Sequence, residues 1–185
     1  YQIEVSFQPP TGTSEVLTNV DPEISPEFTD TTKGIKLNLG DGSTIDTLGS
    51  GKNFTVHNRQ LFWTDKQTGK IQVSSLDGSN PTNLVTGLNQ PAGLVLDETN
   101  NMLYWTETGS GQIMRVDLSN MMADPAFDLS SLQTEVVVTG LDQPDDLLFH
   151  NNKLYWTETG ANRIQTADLT TFDPNSPLVK TGRAS

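Results

Sequence analysis

The sequence predicts an all-β chain, a β-propeller of four-stranded antiparallel blades, with about four blades in its 185 residues. Three observations carry this. A Leu-aromatic-Trp-Thr-acid motif occurs at 61–65, 103–107 and 154–158, so its tryptophans stand 42 and 51 residues apart. The flanks recur with it: Val85-Thr86-Gly87-Leu88-Asn89-Gln90-Pro91 returns as Val138-Thr139-Gly140-Leu141-Asp142-Gln143-Pro144. Each unit holds about four short β-type runs between Gly- and Asn-rich turns, and no stretch has helical periodicity over ten residues. Four strands in a repeat of this length fit a propeller blade. A β-solenoid, the competing repeat architecture, usually has a shorter period.

The elements follow in chain order as one propeller or propeller part over 1–185. Residues 1–53 read as a degenerate first repeat. Phe28-Thr29-Asp30, Lys33-Gly34-Ile35 and Leu39-Gly40-Asp41-Gly42 parallel Phe62 to Asp65, Gly69 to Ile71 and Leu76-Asp77-Gly78, without the tryptophan. Tyr1 to Phe7 alternates apolar and polar and suits a closing strand. Clearer repeats occupy 54–90, 91–143 and 144–182. In the middle one the strands are expected at 93–97, 102–106, 112–118 and 135–139. Ile113, Arg115 and Asp117 point one way in the third of these, and Gln112, Met114, Val116 and Leu118 the other. The longer second interval is explained by an insertion, roughly 120 to 133, which reads as an extended loop. Lys70-Ile71-Gln72, Gln112-Ile113-Met114 and Arg163-Ile164-Gln165 each begin seven residues after a motif tryptophan. Leu178-Val179-Lys180-Thr181-Gly182 resembles Leu84-Val85-Thr86-Gly87, so it is expected to close the last repeat.

Composition removes several functional classes. Eleven Lys and Arg against 23 Asp and Glu give a net charge of −12, which disfavours nucleic acid and anionic membrane surfaces as partners. No run of 18 apolar residues suits membrane insertion. The absence of cysteine rules out a disulfide framework, a thiolate zinc site and a cysteine nucleophile. A chain that opens on Tyr1 is expected to be a processed form or an excised piece.

The repeats resemble the YWTD blades of the propeller domain found in low-density-lipoprotein receptors and related proteins. Phe62-Trp63-Thr64-Asp65, Tyr104-Trp105-Thr106-Glu107 and Tyr155-Trp156-Thr157-Glu158 carry the resemblance, together with the Leu76-Asp77-Gly78 turn and the Gly87-Leu88 to Pro91-Ala92-Gly93-Leu94 connection. It covers about 54–182 well and 1–53 weakly. Two of the three motif acids are Glu, and His150 stands where the preceding repeat has Asp97. The resemblance implies a ring of more blades than this chain holds. Three closures are open: a small four-blade ring, a ring completed between chains, or completion by another polypeptide. Assembly between chains, by self-association or a complementary chain, is the expected one, because an open ring exposes a sheet face and unpaired edges.

The candidate site residues lie on the loops. Trp63, Trp105 and Trp156 read as blade-packing residues. Thr64, Asp65, Thr106, Glu107, Thr157 and Glu158 read as hydrogen-bond partners of neighbouring strands, since buried polar groups need partners. Glu107 and Glu158, one methylene longer than Asp65, are expected to reach outward. Chain reversal puts the turn after each second strand at the same end as the connection into each first strand. The ligand-binding set expected there is Gln90, Glu107, Gln112, Gln143, Asp145, Glu158, Asn162 and Arg163. Asp142, Asp145 and Asp146 read as a solvated acidic turn, with calcium, which takes oxygen ligands, as the alternative; no cofactor is expected. His57 and His150 share a place six residues before their motif tryptophans, which suggests a strand-end role. Asn53-Phe54-Thr55 is a glycosylation acceptor pattern.

No Gly-x-Ser-x-Gly elbow, His-Glu-x-x-His pair or phosphate loop appears. The sequence therefore predicts no catalytic residues and a secreted, extracellular recognition protein that binds a glycan, in the manner of a lectin, or a protein ligand. Stacking aromatics with Asn, Gln, Asp and Glu would provide the sugar contacts. The alternatives are a metal-dependent lactonase-type propeller, with Asp97 and Asp145 among its ligands, and a purely structural assembly module.

Overall fold

The structure, a computed structural model, describes residues 3–7, 15–20, 36–38, 44–45, 54–75, 80–124 and 126–179. Short strands separated by tight turns dominate. The first sheet contains β1 (Ile3–Phe7), β2 (Glu15–Val20), β3 (Lys36–Asn38) and β4 (Thr44–Ile45) in the order β2-β1-β3-β4. The stretch expected to supply a closing strand is thus central in this sheet, antiparallel to both β2 and β3. The Phe28 to Ile35 and Leu39 to Gly42 parts of the degenerate repeat, the Leu76-Asp77-Gly78 turn and Asn53 lie outside the described residues.

The three clearer repeats form successive antiparallel sheets. The first is β5 (Phe54–His57), β6 (Gln60–Asp65), β7 (Lys70–Ser75) and β8 (Thr82–Thr86), hydrogen-bonded in chain order. The second is β9 (Pro91–Asp97), β10 (Met102–Glu107), β11 (Gln112–Asp117) and β12 (Thr134–Thr139). The third is β13 (Pro144–His150), β14 (Lys153–Glu158) and β15 (Arg163–Asp168). Two-residue turns close the first hairpins of the first and third sheets. Asn58 and Arg59 (φ 47° and 63°) and Asn151 and Asn152 (φ 48° and 57°) adopt the left-handed pairs that match strand twist. The second sheet has a longer turn there. Asp97 caps it, its carboxylate accepting from the Thr99 and Asn100 amides at 3.1 and 3.3 Å and from Asn100 Nδ2 at 2.7 Å. His57 and His150 do close equivalent hairpins, facing Gln60 and Lys153.

The core lies between sheets rather than beneath one. Phe62, Ile71, Val73 and Leu84 of the first sheet pack on Leu94, Leu96, Leu103 and Trp105 of the second. Tyr104, Ile113, Val137 and Val138 of the second pack on Leu147, Leu154, Trp156 and Ala167 of the third. Because the middle sheet buries both faces, its strands read as nearly continuous apolar runs around the motif.

Two expectations are corrected. The insertion after β11 is not an extended loop. It forms a short helix α1 (Ser119–Ala123) and a 3-10 turn (Leu129–Ser131), with Met121 buried and Met122, Phe127, Leu129 and Leu132 packed on the first inter-sheet core. These apolar residues find a core edge to cover, which a solvated loop would leave wet. The strand β16 (Leu178–Val179) was expected beside β15; instead it pairs in parallel with β12, Val138 opposite Leu178. The third sheet also differs at Asn162. That residue occupies the left-handed position (φ 48°) that Gly69 and Gly111 (φ 65° each) hold in the other sheets. A Cβ at Gly69 or Gly111 would stand 2.5 or 2.4 Å from the carbonyl oxygen of Leu88 or Leu141, in the chain that leaves the fourth strand. Asn162 carries a Cβ at this position.

Candidate functional site

The hydrogen bonds bring the turn after each second strand and the connection into each first strand together at one end. The Thr108 amide donates to the Gln90 carbonyl at 3.1 Å, and the Gly109 amide to the Asn89 carbonyl at 3.2 Å. The next copy repeats this: Thr159 to Gln143 at 3.0 Å and Gly160 to Asp142 at 3.3 Å. A Cβ on Gly109 or Gly160 would lie 2.1 Å from Asn89 Oδ1 or Asp142 Oδ1, so a substitution there would push aside an exposed rim side chain. Gln90 and Gln143 take left-handed backbone (φ 55° and 52°), which turns their side chains into solvent before Pro91 and Pro144 fix the strand entry. A further bond crosses between neighbours, from the Thr108 hydroxyl to the Pro144 carbonyl at 2.9 Å. The result is a continuous rim in which Asn89, Gln90, Ser110, Asp142, Gln143 and Asn162 are exposed.

The motif acids sit beneath this rim rather than on it. The expectation that Glu107 and Glu158 reach outward is corrected: Glu158 is 1% exposed and Glu107 is buried too. Each carboxylate folds back to its own tryptophan and to the incoming connection. Glu158 accepts from Trp156 Nε1 at 3.2 Å and the Asp142 amide at 2.8 Å, and Glu107 from Trp105 Nε1 at 3.4 Å and the Asn89 amide at 3.3 Å. The shorter Asp65 instead caps its own turn, accepting from the Gln67 and Thr68 amides at 3.0 Å each. Neutral Ser110 completes the Glu107 set at 2.9 Å, whereas Arg163 at 2.9 Å and Gln165 complete that of Glu158. Burial alone would raise the Glu158 pKa; the Arg163 bond and charge, the Asp142 amide and the Trp156 indole outweigh it and hold the carboxyl below its ordinary value. Arg163 is thereby committed largely to Glu158, with its side chain still 25% exposed.

Of the other expected site residues, Gln112 is half-buried opposite Glu107 at the start of β11. Asp145 is half-buried, and its carbonyl accepts the Thr106 hydroxyl at 2.6 Å. Asn89 and Asp142, part of the connections expected at this end but outside the ligand-binding set, also stand on the rim. Their signal was present in the recurrence of Leu-(Asn or Asp)-Gln-Pro, where a short polar side chain precedes a left-handed residue. Among the described residues no three His, Asp or Glu side chains are grouped to hold a metal ion. Asp97, considered as a lactonase ligand, is occupied by its own turn. No helix among the described residues is long and apolar enough to cross a membrane.

Comparison with known proteins agrees with this architecture. Residues 59–98 match the model for low-density lipoprotein receptor repeat class B. Protein cueball of Anopheles gambiae is 28% identical over 122 residues, which are 64% of this chain and 16% of that protein. Nidogen-2 of Mus musculus is 34% identical over 70 residues, 37% of this chain and 5% of that protein. The chain therefore spans a small part of these relatives. Among solved structures, a nidogen/laminin complex superposes with a TM-score of 0.60 at 22% identity, covering 84% of this chain and 64% of that one. A Xanthomonas campestris gluconolactonase superposes at 0.55 and 16% identity, covering 74% and 52%. At such identities the likeness is one of fold. The recurring motif, the stacked sheets and the matched repeat together identify the chain as a β-propeller chain built from YWTD-type repeats.

Proposed function

We propose that this chain is a non-catalytic, extracellular protein-recognition module that binds its ligand through the rim formed by the turns and connections. The observation that carries the reading is that rim itself. Exposed Asn, Gln and Asp side chains recur at equivalent places on backbone locked by buried Glu107 and Glu158, and rigidly held polar loops suit recognition at low entropic cost. A protein ligand is favoured over a glycan because Trp63, Trp105 and Trp156 are buried and offer the rim no sugar-stacking surface. The negative charge of the chain, −12, favours a partner with a basic or polar contact patch. Nidogen, whose solved complex is with laminin, supports a protein ligand and an extracellular setting for a chain of this fold.

The test is a binding screen of the intact chain against immobilised extracellular-matrix proteins, laminin among them, by biolayer interferometry. The double substitution Gln90→Lys with Gln143→Lys is expected to weaken the binding found by about tenfold or more, with near-ultraviolet circular dichroism unchanged. Unchanged affinity in that variant would refute the rim. Binding to a glycan array and to no protein would refute the choice of ligand.

A further inference from the structure

Most described aspartates are engaged by their own turns. Asp117, Asp124, Asp128, Asp168 and Asp173 each accept from the backbone amide two residues on, as Asp65 and Asp97 do. Asp142 cannot, because the residue two on is Pro144, which has no amide proton. Its carboxylate is exposed and has no hydrogen bond or ion pair among the described residues. Asn89, two residues before Pro91, holds the same position one repeat earlier, and its side-chain amide is likewise exposed and unbonded. The two side chains are also held alike. Asn89 lies over Gly109 and Asp142 over Gly160. In both, Oδ1 is the atom nearest to the Cβ that the glycine would carry, and the other terminal atom, Nδ2 of Asn89 or Oδ2 of Asp142, lies 3.0 or 2.9 Å from it. Backbone bonds fix Asp142 from both sides. Its amide donates to Glu158 at 2.8 Å and its carbonyl accepts from Gly160 at 3.3 Å, while the preceding Leu141 amide bonds the Gly111 carbonyl at 3.0 Å. Asp142 thus stands between the turns of the second and third sheets. Beneath it Arg163, at 2.9 Å, answers the charge of Glu158; the charge of Asp142 is left unanswered.

We infer that Asp142 sets the charge specificity of the rim: it receives a lysine or arginine side chain of the protein ligand, whereas Asn89 receives an uncharged amide or hydroxyl. The inference rests on the rim as the recognition surface. Within one shared pose the two residues differ by a single terminal atom. Asn89 offers a donor and an acceptor without charge, and Asp142 offers two acceptors and a full negative charge. A carboxylate fixed by its backbone and bonded to nothing in the chain meets a cation at little ordering cost. When the partner covers it, the ion pair is screened less than it would be in open water. The same covering makes the pair selective, because a neutral side chain placed there would leave the carboxylate desolvated without a partner, and an acidic one would be repelled.

A disulfide-constrained random peptide library displayed on phage and selected on the intact chain supplies the probes. Peptides that bind the wild type and are lost on the Gln90→Lys, Gln143→Lys double variant are rim binders. They are expected to carry a lysine or arginine that a scan of the peptide finds essential. Asp142→Asn should weaken them by about tenfold or more. The fold accommodates that change, since Asn89 already occupies the equivalent pose. Asp124→Asn, an equal change of net charge on an exposed residue of the insertion, should leave their affinity unchanged. Replacing the essential arginine by citrulline, or the lysine by norleucine, should cost about the same tenfold on the wild type and nothing further on Asp142→Asn. Rim binders that need no cation, or that bind wild type and Asp142→Asn equally, would overturn the assignment and leave the rim standing. If no selected peptide is lost on the double variant, the rim itself is refuted and this inference with it.

Discussion

Side-chain length divides the motif acids. Asp65 reaches only its own turn, whereas the extra methylene of Glu107 and Glu158 lets the carboxylate return to the tryptophan indole and the incoming connection. From sequence the same methylene suggested outward reach, because composition gives length but not the direction set by a buried N–H donor. Glu158→Gln removes a buried, charge-assisted acceptor and is expected to cost about 1–3 kcal/mol in urea unfolding. Acid titration of the wild type reports the same group. Its folded pKa is depressed, so its contribution is complete above the ordinary value of 4.5 and is lost as pH falls through the lower folded value. The Glu158→Gln variant should lack this segment of the stability–pH curve. Trp105, fully buried with its indole bonded to Glu107, is expected to cost about 3–5 kcal/mol when changed to Ala.

Strand positions were legible in the sequence because each repeat confirms the others. Expected strands at 93–97, 102–106, 112–118 and 135–139 appear as Pro91–Asp97, Met102–Glu107, Gln112–Asp117 and Thr134–Thr139. Pairing of β16 was not legible, because which strand edge has room for Leu178 is not written in its likeness to Leu84. That steric condition is a property of three dimensions. Two glycines separate backbone strain from crowding of such a connection. Gly87 has positive φ with nothing near its would-be Cβ, while Gly111 has positive φ and the Leu141 carbonyl at 2.4 Å. Gly87→Ala is expected to cost about 1–2 kcal/mol, the backbone term alone. Gly111→Ala should cost about 1–3 kcal/mol more, because the connection itself must shift. Denaturant midpoints of the two variants give the comparison.

Across the whole molecule, stability is a sum of sheets and the junctions between them. Thr106 serves both terms, accepting from the Gly93 amide at 2.8 Å within its sheet and donating across the junction to Asp145. Thr157 makes only the first kind of bond. Thr106→Val is therefore expected to destabilise by about 1–3 kcal/mol, and Thr157→Val by roughly half as much, read from thermal or urea unfolding. The rim and the spare residues between repeats lie at opposite ends of the strands. β10 ends at the rim, β11 leaves it, and the segment from Leu118 to Gln133 begins at the far end, where the Leu118 amide bonds the Asn101 carbonyl at 2.9 Å. Repeats of 42 and 51 residues thus hold their rim loops in the same frame. A change of length in the far-end segment that keeps its apolar residues on the core is a change of footing with the countenance left intact, so such chains can vary in size while the proposed recognition face stays as it is.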